Sequence, residues 1–458
     1  MPLNNRTGTN SIPEPNDSLR LWFRPTWPLI LVVFAANFIS AALFIHFVDR
    51  PAYDDKFNII DVHMFASQGV NVNTIRGITT PPGPTGFAWL AITVRFLGAE
   101  ELRNARIGSL LTWVLIVAGV LIGAGYSSFP DIWYGALLTS LVFPHSVETA
   151  ALVLTEGPAL LFALLGVIAW VELEARPTAR STVLALGVCG GSAMGLAITC
   201  RQYFLALLPA AALLAVRQWR ALGSAKSAGW RSSTILSLAI AIAPVVTLAW
   251  IWKGFSSPGM AMGTSYPGAQ ARIGLSFMRP LIAAFYTASY LALLTLPTTL
   301  RAKTRFRTQL IVSALLGGIL TGCFSRWLLQ PGPLRTLVHG VGRGTVLESI
   351  IPGVIGALAI YNVAVVALLF WERRAATLAC LPLIFALLTV LFFVAEQVGV
   401  GGNLPFYDRY VLQVAPFLGI IAFALSPRIS LARLLVFASM AVISQVMLWR
   451  FAFGAAGS

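Results

Sequence analysis

Apolar runs of about twenty residues recur along the whole 458-residue chain, and they constrain the fold more than any motif does. Each run can cross ~30 Å of hydrocarbon at ~1.5 Å per helical residue. Inside a bilayer, backbone N–H and C=O groups must be satisfied within the segment itself, so such runs are helices. The runs lie at 27–47, 107–125, 131–146, 158–174, 181–200, 202–217, 233–252, 280–299, 308–328, 350–370, 376–395, 411–426 and 432–452. The fold class this predicts is all-α, a polytopic transmembrane helical bundle of about 13 spans. The runs at 131–146 and 202–217 are the shortest.

Composition agrees. Only 11% of residues are charged and 57% are hydrophobic, against roughly 25% charged in soluble domains. A net charge of +15 would suit a nucleic-acid binder. That class is excluded, because the basic residues form short clusters between apolar runs rather than one patch. The clusters are "EARPTAR" (174–180), "RQWRALGSAKSAGWR" (217–231), "RAKTRFR" (301–307), "WERR" (371–374) and "SPRISLAR" (426–433). With a cytoplasmic N-terminus they all fall on the cytoplasmic side, as the positive-inside rule demands.

The first run exceeds the apolar core of about 7–15 residues in a signal peptide, so it reads as a retained span. Residues 1–25 are polar and read as a cytoplasmic tail. The four cysteines lie in or beside apolar runs without a CxxC pair, so no disulfide framework is expected.

The same parity gathers the polar features onto the non-cytoplasmic face. The longest connection, 48–106, carries the adjacent acids Asp54 and Asp55. Loops beyond about 12–15 residues are usually functional or disordered. This one has Ile59, Val62, His63 and Ala66 at helical spacing, then "GITTPPG" and a second amphipathic stretch. It is therefore predicted to carry interfacial helices.

The acid pair is either a solvated helix start or chemistry. Glu156, in "LVLTEGPALLF", and Arg201, in "AITCRQYFLALLPA", interrupt apolar surroundings. An ionisable group at a span is expensive and is read as functional by default. The bland alternatives are a helix-end carboxylate and a snorkelling turn arginine. Arginine forks also match phosphate oxygens. Arg326, Arg335, His339 and Arg343 lie on the outer side, where basic residues are disfavoured, as does Arg409 in "YDRY". An anionic headgroup would explain them, and a soluble loop or an internal salt bridge is the plainer reading. GxxxxGK[ST], HExxH and GxSxG are all absent.

These residues resemble a family. A long first outer loop with paired acids, followed by an acid near the start of the fourth span, is similar to the GT-C glycosyltransferases. Within them, three segments resemble the dolichyl-phosphate-glucose alpha-1,2-glucosyltransferases. The family's Tyr-x-Asp-Glu-x-Phe-His pattern compares with "AYDDKFN", its Ile-Thr-Thr-x-Pro-Gly with "ITTPPG" at 78–83, and its Tyr-Thr-Asp with "LTEG". Its Arg-Gln pair matches Arg201 and Gln202. Asn58 stands where the family has histidine, and Tyr53 is shifted by one place. The likeness covers about residues 50–205.

The resemblance implies a GT-C fold with a periplasmic or luminal first loop. It makes 26–220 a catalytic module and 221–458 a transmembrane region contributing to the lipid-donor site. It implies a hexosyltransferase moving sugar from a polyprenyl-phosphate donor to a glycan or glycolipid acceptor, with inversion. The bacterial cytoplasmic membrane is the expected location, with the endoplasmic reticulum membrane as the alternative.

Catalytic roles then fall to Asp54, Asp55 and Glu156. Donor phosphate would be held among Arg201, Gln202, Arg326, Arg335, His339, Arg343 and Arg409. Tyr53, Asn58, Thr79, Thr80 and Tyr407 would contact substrate. Asp54 and Asp55 are also candidates for a divalent ion, although no full ligand set accompanies them. A polysaccharide ligase or polymerase, or a flippase of lipid-linked sugars, is the competing class. A flippase would be expected to carry internal repeats, and no convincing repeat is visible.

Overall fold

The computed structural model describes residues 27–98, 100–175, 180–222, 228–254, 257–259, 275–302, 304–330, 333–342, 344–399, 406 and 408–453. Its elements are all helical. The expected tail, Arg343 and Tyr407 lie outside these residues.

The chain opens with α1 (Trp27–Phe47), followed by three helices in the first long connection, α2 (Asp55–Gln68), α3 (Val72–Gly77) and α4 (Pro84–Leu97). Then come α5 (Glu101–Tyr126), α6 (Pro130–Val142), α7 (Ser146–Ala151), α8 (Glu156–Ala175) and α9 (Arg180–Cys200). A 3-10 turn at Gln202–Ala206 leads into α10 (Leu207–Leu222) and α11 (Ala228–Trp252). Long helices in the second half span Met278–Thr299, Arg307–Cys323, Leu347–Glu372, Leu381–Glu396 and Leu431–Phe453.

Among the described residues eight helices are long and apolar enough to cross a membrane. Large apolar side chains such as Val32, Ile122, Val246 and Val442 are more than half exposed on these helices. Such surface is costly in water and suits contact with lipid.

Every one of the thirteen apolar runs is occupied by helix, but not all are full spans. The 13 residues of α6 and the 11 of Ala415–Leu425 reach only about 20 and 16 Å. Protein buries most side chains of α6 and nearly every one of the 415–425 helix, and the two pack together so closely that Gly135 faces the Phe423 ring. Prolines account for the shortening. Pro144 disfavours helix at Phe143, and Pro382 and Pro416 each sit in the first turn of a new helix after a break.

α8, α9 and α11 pack side by side. Gly187, Gly191 and Gly195 line α9 where it meets Ser233, Ser237 and Ala241 of α11, at distances that leave no room for a Cβ. Small residues four apart allow this close backbone approach. Arg201 lies immediately past the C-terminal end of α9.

The buried face of α2 differs from the predicted one. His63 is exposed and Ile59 only partly covered, whereas Asp55, Asn58, Asp61, Val62 and Phe65 are buried. Apolar periodicity missed this because the three polar side chains have partners inside the protein, described below. The second helix of the connection follows its periodicity: α4 buries Phe87, Leu90, Ala91 and Val94.

Candidate active site

The two adjacent acids separate immediately. Asp55 has no exposed surface. Its Oδ2 accepts from Arg106 Nε at 3.0 Å and Nη2 at 2.5 Å, and from the Ala52 N–H at 3.2 Å. Its Oδ1 accepts from the Val153 N–H at 2.6 Å. Arg106 also donates to the carbonyls of Val48 and Arg50. This one pair therefore ties the end of α1, the start of α2, α5 and the connection between α7 and α8. Every oxygen of Asp55 is committed to holding backbone.

Asp54 points elsewhere. Its side chain is 17% exposed, and its Oδ2 lies 2.6 Å from Arg409 Nη2. Tyr53, just before it, adopts a left-handed backbone (φ 53°), a conformation uncommon for a bulky residue. That twist turns consecutive side chains to different partners. Arg409 lies over the Tyr53 ring at 4.8 Å, and burial pushes the Tyr53 phenol well above its usual pKa.

Beyond Arg409 the charges alternate. Arg409 Nε lies 3.7 Å from Glu156 Oε1, which lies 2.6 Å from Arg201 Nη2. Both arginines and Glu156 are buried. The result is a run Asp54–Arg409–Glu156–Arg201, assembled from the loop after α1, a late 3-10 turn, the first residue of α8 and the break after α9. Arg201 Nε is buried without a hydrogen-bond partner, so the run ends in an unused N–H.

The "ITTPPG" segment is a strut for this run. Asp61 accepts from the Thr79 N–H at 3.0 Å, the Thr79 hydroxyl at 3.2 Å and the Thr80 hydroxyl at 2.5 Å. The Gly83 N–H donates to the Cys200 carbonyl at 3.0 Å, and Gln202 Nε2 donates to the Pro81 carbonyl at 3.2 Å. A Cβ on Gly83 would meet the Thr199 carbonyl oxygen at 1.9 Å, so only glycine fits. The motif thus connects α2 to the turn that carries Arg201. Asn58 likewise spends its amide on the Val153 carbonyl at 2.7 Å.

Of the remaining sequence candidates, Arg326 and Arg335 lie on exposed faces, and His339 faces Glu348 at 3.3 Å. The two acids turn to different arginines instead of converging on one point. Among the described residues no three His, Cys, Asp or Glu side chains gather where they could hold a metal ion.

Sequence reasoning missed Arg106, Asp61 and a buried group at the foot of α7, where His145 lies between Glu148 and Asp408. Arg106 had a signal, being a charge at the start of an apolar run. His145 and Glu148 were also readable, as two ionisable groups three apart in "VFPHSVET".

No protein-family model matches the chain, and no curated protein matches it. Among solved structures it is similar to ArnT from Cupriavidus metallidurans bound to undecaprenyl phosphate. Identity is 15%, coverage is 94% of this chain and 79% of that one, and the TM-score is 0.41. It is also similar to the arabinosyltransferase EmbB from Mycobacterium smegmatis, at 13% identity over 93% of this chain and 43% of that one, TM-score 0.33. The oligosaccharyltransferase AglB from Archaeoglobus fulgidus, in complex with an inhibitory peptide and a dolichol-phosphate, gives 11%, 82%, 56% and 0.32 in the same order. At these identities and TM-scores the likenesses assign neither a family nor an activity.

Proposed function

We propose that the protein is a GT-C-type glycosyltransferase that moves a hexose from a polyprenyl-phosphate donor to a hydroxyl of a glycan or glycolipid acceptor. The reaction would take place at the non-cytoplasmic face of a membrane, most simply the bacterial cytoplasmic membrane. The observation that carries this reading is the buried Asp54–Arg409–Glu156–Arg201 run. The sequence resemblance over residues 50–205 supports it.

Each member has a role that its surroundings suit. Arg201 and Arg409 take the donor phosphate, whose oxygens match guanidinium forks. Preorganised positive charge lowers the barrier as the sugar C1–O bond breaks and negative charge grows on the departing phosphate. Glu156, paired with both arginines, keeps them oriented. Asp54 is the most exposed carboxylate of the run, and it takes the proton from the acceptor hydroxyl as that oxygen bonds to C1. Attack from the face opposite the phosphate inverts the anomeric centre. Asp55, Asp61, Asn58 and Gln202 hold the frame.

Arg201→Lys tests the phosphate role, because lysine keeps the charge but loses the fork. With undecaprenyl-phosphate-glucose as donor, the half-saturating donor concentration should rise roughly ten-fold, the loss expected for one charge-assisted hydrogen bond. Acceptor dependence should change little. An unchanged donor dependence removes Arg201 from the phosphate site.

A further inference from the structure

His145 sits in the turn after α6 with a left-handed backbone (φ 78°) and is almost fully buried. Its Nδ1 lies 2.6 Å from Glu148 Oε2, and its Nε2 lies 3.0 Å from Asp408 Oδ1. An ionised carboxylate only accepts hydrogen bonds, so one imidazole can satisfy both acids only when both its nitrogens carry protons. The second contact spans 263 positions of sequence. It lands on the residue immediately before Arg409, in the 3-10 turn Asp408–Gln413.

We propose that His145 is a positioning residue for the transfer reaction, an inference that rests on the function proposed above. As an imidazolium it clamps Asp408 to Glu148 and so holds Arg409 in register with Asp54 and Glu156. No substrate contact is required of it, since it acts through the segment that bears Arg409.

The charges around the clamp set its dependence on pH. Glu148 faces His145 from α7 and Asp408 faces it from the 3-10 turn, while Arg409 of the same turn acts on Glu148. Arg450 approaches Glu148 at 3.6 Å from the last helix. Tyr53 also lies near Glu148, and Tyr286 and Tyr290 of the 278–299 helix lie near Asp408. Burial alone would lower the pKa of His145, but Glu148 and then Asp408 outweigh it and push it up to about 9. Burial likewise works to raise Glu148, and His145 overrides it, holding that carboxyl below its usual range. A histidine raised in the folded state stabilises fully below its ordinary value of 6.5 and loses that contribution as pH climbs through about 9.

The test compares the full-length protein with His145→Asn, since asparagine tolerates the left-handed backbone but cannot bridge both acids. Hydrogen exchange at neutral pH should show lower protection of the 408–413 amides in the variant, with α1 unchanged. Binding of undecaprenyl phosphate should weaken about ten-fold. Wild-type affinity should fall towards that of the variant as pH rises through about 9, while the affinity of the variant stays flat.

Unaltered protection of 408–413, or a wild-type pH profile shared by the variant, overturns the proposal. If wild type fails to bind the lipid, the function proposed above is what fails, and the exchange comparison alone decides the clamp. Should His145→Asn not fold, Asp408→Asn breaks the same contact from the other side and is expected to give the same loss of protection.

Discussion

Asp54→Asn is expected to cut sugar transfer by at least ~10²-fold while the protein still reaches the membrane in normal amount. Asparagine keeps the shape and can still accept a hydrogen bond from Arg409, so the Asp54–Arg409 contact at 2.6 Å survives in weaker form. What it cannot do is take a proton from an acceptor hydroxyl. General-base catalysis is worth roughly 10²–10⁴-fold, so initial rates with a lipid-phosphate donor should fall by at least the lower figure. Stability should fall less than for Asp55, because the Asp54 side chain is partly exposed and makes no cap hydrogen bond, and Arg409 keeps Glu156 at 3.7 Å. Near-normal rates would remove Asp54 from the chemistry.

Asp55→Asn has the opposite profile. The substitution leaves the Arg106 guanidinium buried beside a neutral amide, with 1% of its side chain exposed. Breaking a buried ion pair from one side typically costs about 3–5 kcal/mol. The melting midpoint in detergent, read by differential scanning fluorimetry, should therefore drop strongly and expression with it. Arg106→Leu should do the same, since it leaves Asp55 charged and buried. The double variant Asp55→Leu/Arg106→Leu should recover only part of the loss. The Val153 and Ala52 N–H groups and the Val48 and Arg50 carbonyls would still be without partners. A mild effect of Asp55→Asn would contradict the frame role assigned to it.

These two profiles separate residues that the sequence presents as equals. As neighbours, Asp54 and Asp55 differ in nothing that spacing or composition can measure. Their roles diverge because Arg106, 51 positions from Asp55, claims one, and Arg409, 355 positions from Asp54, claims the other. The helices were more legible, because a lipid-facing run has to be apolar from end to end and announces itself locally. The breaks inside those runs were less so. Proline at 144 or 416 changes the path of the chain without changing its hydropathy, so α6 and the 415–425 helix read as spans.

"ITTPPG" was visible as a motif but not as a strut. Its partners, Asp61 and Cys200, lie on either side in sequence and come together only when α9 packs on the first connection. Glu156 and Arg201 stood out because charge in apolar surroundings is expensive. The same rule applied to His145, which lay inside the 131–146 segment taken for a span, and to Glu148 just beyond its end.

In the proposed mechanism the donor phosphate binds between Arg201 and Arg409 with Asp54 facing the reacting sugar carbon. A structure of the protein with undecaprenyl phosphate bound tests it most directly. Phosphate oxygens are expected within hydrogen-bond distance of both guanidiniums, with an open path from the phosphate to Asp54. A phosphate seated instead on Arg326 or Arg335, with the Asp54–Arg409–Glu156–Arg201 run left intact and out of reach, would contradict it.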